Sequence, residues 1–352
     1  MRVVLVMTGG GGGGLQQSIV PYAAALLRAG HEVLAIILKG TPFEHELRAL
    51  GIQVVVTRWP RKPLPFAWMQ AQTIRRAATD FGAEIAIGFA SKGLTPAQIA
   101  FQGRMPVLTR CGATRSSTVR KLLNADGVIA TSDEMRAIIL DMGMPADRVH
   151  LLPNFLTGDA RDHSDTAGSV PTVGGLGRLV PRKGFDLLVG ACGILRSRGL
   201  DHRLVIGGKG AQATRLAQQA RNLGVEASFP GWIDNARKPA FFDDIDVFVC
   251  PSRDEPFGFI YLEAMQAGVP VVTTDTVGAR FIFTAGTDAL LVPQDDAEAM
   301  ADAIARLLED PSLRRRLATT ARRSFLERFQ IDAAASTLDK ILTTGLAMGP
   351  RA

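Results

Sequence analysis

Along the whole chain, short runs of consecutive apolar residues alternate with stretches in which apolar positions recur every three or four residues. Residues 3–7, 33–38, 54–56, 85–88, 107–109 and 128–131 form a first set of apolar runs. Residues 172–176, 203–206, 247–249, 271–273 and 290–292 form a second. Runs of this length, without polar alternation, predict strands buried on both faces, and the amphipathic stretches between them, such as 18–29, predict helices. Strand and helix in regular alternation predict parallel sheets covered by helices on both faces, an α/β class. Between the two sets, residues 158–171 are rich in Gly, Asp, Ser and Thr and poor in apolar residues, which predicts a linker. The pattern therefore predicts two doubly wound, Rossmann-like domains, residues 1–157 and 172–332. Such sheets bind ligands at the carboxyl ends of their strands, so two in succession are expected to face each other across a central cleft.

Composition supports two domains and narrows the setting. The chain has 352 residues, 47% of them apolar, and domains run to about 100–200 residues. No stretch of about 18 uninterrupted apolar residues occurs, and the apolar start at residues 1–7 is too short for a signal peptide, so a cytoplasmic protein is expected. Cys111, Cys192 and Cys250 are odd in number and far apart, which predicts free thiols with neither a disulfide framework nor a zinc site.

The net charge of +6 is unevenly placed. Residues 1–150 carry 17 Lys and Arg against 10 Asp and Glu, and residues 151–352 carry 23 against 24. Within the basic half, Arg58, Arg61, Lys62, Arg75 and Arg76 flank Trp59, Phe66 and Trp68 in a proline-rich stretch. Cations mixed with interfacial aromatics suit an anionic membrane surface or an anionic acceptor; a solvated helix face beside a loop fits equally well. Nucleic acid is not expected, because no helix-turn-helix, zinc-finger or RNA-recognition signature is present.

Candidate chemistry concentrates in the second half. Glu255 and Glu263 are separated by seven residues, with Pro256 and Gly258 marking a turn into a helix that should stop at Gly268 and Pro270. Eight helical residues span about 12 Å, more than the roughly 5–9.5 Å between the carboxyls of a glycosidase pair. The two carboxylates are therefore expected to hold different parts of one long ligand. A nucleoside diphosphate sugar, with a diol at each end, offers such parts. Arg178 and Lys183 lie in the turn after an apolar strand and at the mouth of the next helix, where backbone N–H groups add to a field suited to phosphate. Gly9 to Gly14 follow the first strand directly and let backbone approach phosphate or sugar.

These residues, in this order, resemble the retaining glycosyltransferases of family 4 and their EX7E motif. The resemblance is carried by Gly177-Arg178-Leu179-Val180-Pro181-Arg182-Lys183-Gly184, Ile206-Gly207-Gly208-Lys209-Gly210, Phe229-Pro230-Gly231-Trp232, Val249-Cys250-Pro251-Ser252, the two Glu residues, and Gly268-Val269-Pro270-Val271-Val272. It implies the GT-B fold, with an N-terminal acceptor-binding domain, a donor-binding domain at 172–332, and a last helix, about 333–352, that packs back on the first. It further implies catalytic roles for Arg178, Lys183 and Glu255, Glu255 on the transferred sugar. Donor contacts are implied from Gly9, Gly10, Gly208, Trp232 as part of a base-binding loop, Gly258, Phe259 and Glu263, the last on the ribose. The expected reaction moves a sugar from a nucleotide diphosphate donor to a hydroxyl of a glycan or lipid-linked acceptor, in envelope polysaccharide or lipopolysaccharide synthesis. No cofactor or metal is expected: Asp244-Ile245-Asp246 stands just before a strand, and the cationic turn already supplies the phosphate counter-charge.

Two positions depart from the family pattern. Cys111 stands where members commonly carry a His near the sugar, which leaves Arg110 and Cys111 as residues of the sugar or acceptor vicinity. Phe281 stands where a Glu is usual. These departures keep open a degenerate homologue that binds nucleotide sugar without turnover; a second enzyme class on the same fold is a nucleotide-sugar epimerase or a phosphorylase.

Overall fold

The computed structural model describes residues 1–8, 18–57, 66–111, 116–161, 163 and 170–350; the side chains of residues 66–68, 90–92 and 116–118 lie outside that description. The chain forms two compact units, Met1–Thr157 with Arg328–Ala352, and Gly158–Glu327.

In the first unit, β1 (Arg2–Met7), β2 (Glu32–Leu38), β3 (Gln53–Thr57), β4 (Ile85–Phe89), β5 (Val107–Cys111), β6 (Gly127–Ala130) and β7 (Val149–Leu151) form one parallel sheet in the order β3-β2-β1-β4-β5-β6-β7. The helices are α1 (Ile19–Arg28), α2 (Glu44–Ala49), α3 (Phe66–Phe81), α4 (Ala90–Phe101), α5 (Ser116–Leu122) and α6 (Asp133–Asp141). Successive strand residues point to opposite faces. Val3, Leu5 and Met7 thus pack with Tyr22, Leu26 and Leu47, whereas Val4 and Val6 pack with Ile74, Leu94 and Ala97. Both faces of β1 are buried, which explains its unbroken apolar run.

The second unit holds β8 (Thr172–Leu176), β9 (Arg203–Gly207), β10 (Ala227–Gly231), β11 (Val247–Cys250), β12 (Val271–Thr274) and β13 (Leu290–Val292), parallel and in the order β10-β9-β8-β11-β12-β13. Its helices are α7 (Phe185–Ser197), α8 (Ala213–Asn222), α9 (Lys238–Asp243), α10 (Phe259–Ala267), α11 (Val277–Ile282), α12 (Ala297–Glu309) and α13 (Pro311–Arg328). Val173, Ile206 and Val249 face α7 and α12 through Leu188, Leu195 and Ile304. On the opposite face, Phe242 of α9 stacks obliquely on Phe248 of β11, with centroids 5.4 Å apart.

The last helix, α14 (Ile331–Met348), belongs to the first unit. Its Leu338, Ile341 and Leu342 are buried with Leu5, Ile85 and Leu108. The return is fixed where Leu156 N donates to Phe329 O at 2.9 Å, and by the ion pair of Arg28 with Asp332.

Two local expectations are corrected. Phe229-Pro230-Gly231 is not loop but the end of edge strand β10; Pro230 is tolerated there because an edge strand need not donate on both sides. β5 runs two residues past Thr109, so Arg110 and Cys111 are strand residues. The start of the expected linker is also held in place: Arg161 N donates to Gln266 O at 2.7 Å and its guanidinium pairs with Asp243 at 3.0 Å.

Candidate functional site

In the second unit the strand order reverses between β8 and β11. A doubly wound sheet opens its ligand crevice at such a point, beyond the carboxyl ends of the strands. Beyond β8 lie Gly177, Arg178 and a single 3-10 turn, Pro181–Lys183, leading into α7. Beyond β11 lie Pro251 to Gly258, leading into α10. Lys183 Nζ donates to Glu255 Oε2, so an ion pair bridges the switch point. Both side chains are nearly enclosed, 15% and 11% exposed, which strengthens their mutual field. Arg178 is exposed and has no ion pair among the described residues.

The two loops are braced against each other. Gly184, at φ +65°, lies so close to Pro251 O that a Cβ would fall 1.9 Å from it, so only glycine permits the approach. Arg253 N donates to Arg182 O at 2.9 Å, and Arg182 Nη1 to Asp254 O at 3.1 Å. The Arg253 guanidinium reaches Asp186 at 2.9 Å, Asp295 at 2.6 Å and Pro181 O at 2.7 Å. Its hydrogen bond holds the Asp186 carboxyl below the usual range. Beneath, Tyr261 Oη bonds Thr273 Oγ1 at 2.9 Å and Thr273 Oγ1 donates to Cys250 O at 3.0 Å. Gly278 N, in the first turn of α11, donates to Glu255 O at 2.8 Å. The Lys183–Glu255 pair therefore stands on a rigid, cross-linked base.

Gly208 closes the neighbouring wall. With φ at +141° and a would-be Cβ 1.8 Å from Gly177 O, it lets the ends of β8 and β9 touch. Trp232 follows β10 directly and is 54% exposed, its carbonyl accepting from Arg237. Gly258, at φ +85°, caps α10, and Phe259 is its first residue, its ring 5.9 Å from Phe257.

Glu263 projects from α10 between the buried Leu262 and Ala264. Its Oε1 accepts from Lys238 Nζ at 2.6 Å, while its Oε2 is buried with no hydrogen-bond partner among the described residues. Burial raises the Glu263 carboxyl above its usual range, with Lys238 opposing the shift. A buried carboxylate oxygen without a donor is costly unless a ligand supplies one, as a hydroxyl group can.

Lys238 and Arg253 were not anticipated. Lys238 had a faint signal, a Lys-Pro pair opening a short helix, but its partner lies 25 residues on. Arg253 sits among acidic neighbours and gives no local sign of binding both Asp186 and Asp295.

In the first unit, Arg110 and Cys111 point to opposite faces of β5. Cys111 is packed in the core beside Val119, its sulfur 3.4 Å from that of Met135, so the thiol is part of the packing and is not presented to a ligand. Arg110 is buried on the other face beside Tyr22. Gly9 and Gly10, and residues 58–65 of the basic aromatic stretch, lie outside the described residues. Phe281 packs on Phe257 at 5.9 Å, filling the place expected of a Glu with ring contact. The acidic 243–246 stretch is taken up structurally: Asp243 pairs with Arg161, and the buried Asp246 accepts from Thr172 N at 2.8 Å at the opposite end of the sheet. Among the described residues no group of three or more His, Cys, Asp or Glu is placed to hold a metal ion. No helix among them is long and apolar enough to cross a membrane.

Residues 159–324 match the family described as glycosyl transferases group 1, and residues 13–154 the glycosyl transferase 4-like domain. The lipopolysaccharide core biosynthesis glycosyltransferase LpsE of Rhizobium meliloti is 32% identical over 229 residues, 63% of this chain and 65% of that protein. The phosphatidyl-myo-inositol mannosyltransferase of Mycobacterium leprae is 31% identical over 231 residues, 64% of this chain and 61% of that one. The match thus spans somewhat less than two thirds of these curated relatives. Among solved structures, Anabaena HepE in complex with UDP and glucose superposes with a TM-score of 0.79 at 21% identity, covering 97% of this chain and 99% of that one. A glycosyltransferase from Rickettsia africae gives 0.82 at 17% identity, covering 97% and 98%. At these identities the likeness is one of fold.

Proposed function

The chain belongs to the family 4 glycosyltransferases, with the GT-B fold, and we propose that it transfers a sugar, with retention, from a nucleotide diphosphate donor to an acceptor hydroxyl. The observation that carries the donor half is the pairing, on one unit, of an unpartnered buried carboxylate oxygen on Glu263 with a cationic turn at the sheet's switch point. Glu263 Oε2 accepts from the ribose. Lys183, Arg178 and the N–H groups at the start of α7 face the diphosphate, where negative charge grows as the bond to the sugar breaks. Donor binding gives Lys183 a second anion, and Glu255, held by Gly278 N and the braced loop, turns its carboxylate to the sugar hydroxyls. Attack comes from the face the phosphate leaves, and the departing phosphate takes the acceptor proton. Lys183 and Arg178 supply the charge compensation that a divalent ion supplies in other transferases, so the reaction proceeds without metal.

The first unit is assigned to the acceptor, a glycan or lipid-linked glycan of the envelope at the inner membrane face. The names of the lipopolysaccharide and phosphatidylinositol relatives and the basic aromatic sequence at 58–68 support this.

The test is donor hydrolysis across UDP, GDP, ADP and TDP sugars in the presence of a chelator. One nucleotide class is expected to be cleaved slowly, and Lys183→Ala to lower that rate about 10²–10³-fold, the usual cost of losing one group that stabilises developing charge. Cleavage that requires a metal, or that Lys183→Ala leaves unchanged, contradicts the proposal.

A further inference from the structure

Arg110 is the largest fully buried side chain among the described residues, 2% exposed, and it lacks a counter-ion. Its Nη2 donates to Asn154 Oδ1, a neutral amide, and the guanidinium lies 5.9 Å from the centroid of the Tyr22 ring. Nε and Nη1 are buried and have no hydrogen-bond partner among the described residues. No carboxylate is paired with Arg110 among the described residues. The residues of this unit outside the description, 9–17, 58–65, 112–115 and 351–352, contain no Asp or Glu. Nor do the undescribed side chains of 66–68, 90–92 and 116–118. Tyr22 does not serve as the anion either, because burial pushes its phenol up to about 12 and keeps it neutral. Its Oη is buried against the guanidinium and interacts with it, and neither group has a further partner that carries charge among the described residues.

A buried cation with no anion is among the costliest arrangements a fold can retain. Arg110 stands at the carboxyl end of β5, the ligand-binding edge of a parallel sheet, on the strand next to β4 of the β1/β4 switch point. Aromatic rings line its surroundings: Tyr22 contacts Phe89 at 5.3 Å and Phe155 at 5.5 Å. Rings suit the apolar face of a sugar, and the free N–H groups and the phenol suit an oxyanion attached to it.

We propose that Arg110, with Tyr22, forms an oxyanion subsite of the first unit, which selects a substrate sugar bearing a carboxylate or a phosphoryl group over its neutral counterpart. The oxyanion supplies the charge that the fold withholds from Arg110. The subsite rests on the reading that this unit receives a sugar substrate, and it adds the chemical class of that substrate.

The experiment is calorimetric titration of the full chain with glucose, glucuronate and glucose 6-phosphate, for wild type and Arg110→Gln, with nucleotide binding read on the same samples. Wild type is expected to bind at least one anionic sugar about tenfold or more tightly than glucose, and Arg110→Gln to bring the two within about twofold. Which anionic sugar wins distinguishes a carboxylate from a phosphoryl source. If Arg110→Gln fails to fold, Arg110→Lys is read instead; it keeps the charge without the fork, and the preference is expected to fall several-fold. Equal binding of the three sugars by wild type, binding of none, or a preference that survives the substitution overturns the subsite. Nucleotide binding that persists in that case leaves the transferase reading standing, whereas its absence removes both.

Discussion

At the scale of single residues, two buried charges mark the candidate chemistry, and only one was readable in advance. Glu263 stood out because a carboxylate interrupts an apolar helix face at a fixed distance from a second carboxylate. Folding raises its carboxyl above the ordinary value. The sign follows: the charged form is disfavoured by folding, the cost is absent below about pH 4, and it grows as pH rises through the folded value. Glu263→Gln removes that cost, so at neutral pH its thermal midpoint should equal or exceed that of wild type. Nucleotide affinity should fall about 10- to 100-fold, the worth of a hydrogen bond to a charged acceptor. A destabilised variant with unchanged affinity, by melting and calorimetry, would assign Glu263 to structure. In the sequence Arg110 is marked only as the neighbour of Cys111. Its burial, and the absence of an acid near it, depend on what α1 and residues 152–155 bring to β5, which no local pattern encodes.

Among elements, what sequence conveyed well was the run of strands. A strand buried on both faces has no alternative to a continuous apolar run, and β1, β2 and β11 read directly for that reason. Edge strand β10 was missed because its burial alternates and it contains Pro230. The bracing of the site was also hidden, since it is made of backbone approaches and one arginine. Arg253 joins the 3-10 turn, α7 and the loop after β13, through Pro181 O, Asp186 and Asp295. Asp186 lies below its usual range because it accepts from Arg253. That contribution is present above about pH 4 and is lost as pH falls through the lowered folded value. Asp186→Asn should therefore be less stable than wild type at pH 7 by about 1 kcal/mol, as suits a pair that is partly exposed. The difference should shrink as pH drops below about 4. Urea unfolding at pH 7 and pH 3 measures both, and a gap that widens in acid would refute the assignment.

For the whole molecule, the chain leaves the first unit at Thr157 and returns at Arg328. The second unit is therefore a continuous segment, and the first is completed only by α14. Burying Leu338, Ile341 and Leu342 contributes about 1.5–3 kcal/mol each, so a chain ending at residue 327 should lose the cooperative transition of the first unit. Residues 158–327 expressed alone should fold and retain nucleotide binding, seen as a melt whose midpoint rises with nucleotide. Failure of that segment to bind would move the donor site away from the second unit. The central claim, that this unit holds a nucleotide diphosphate through Glu263 and Lys183, is tested most directly by calorimetric titration of the full chain with UDP, GDP, ADP and TDP under a chelator. The account predicts binding of one nucleotide class, abolished or weakened at least tenfold in Glu263→Ala. Binding of none, or binding that Glu263→Ala leaves untouched, would contradict it.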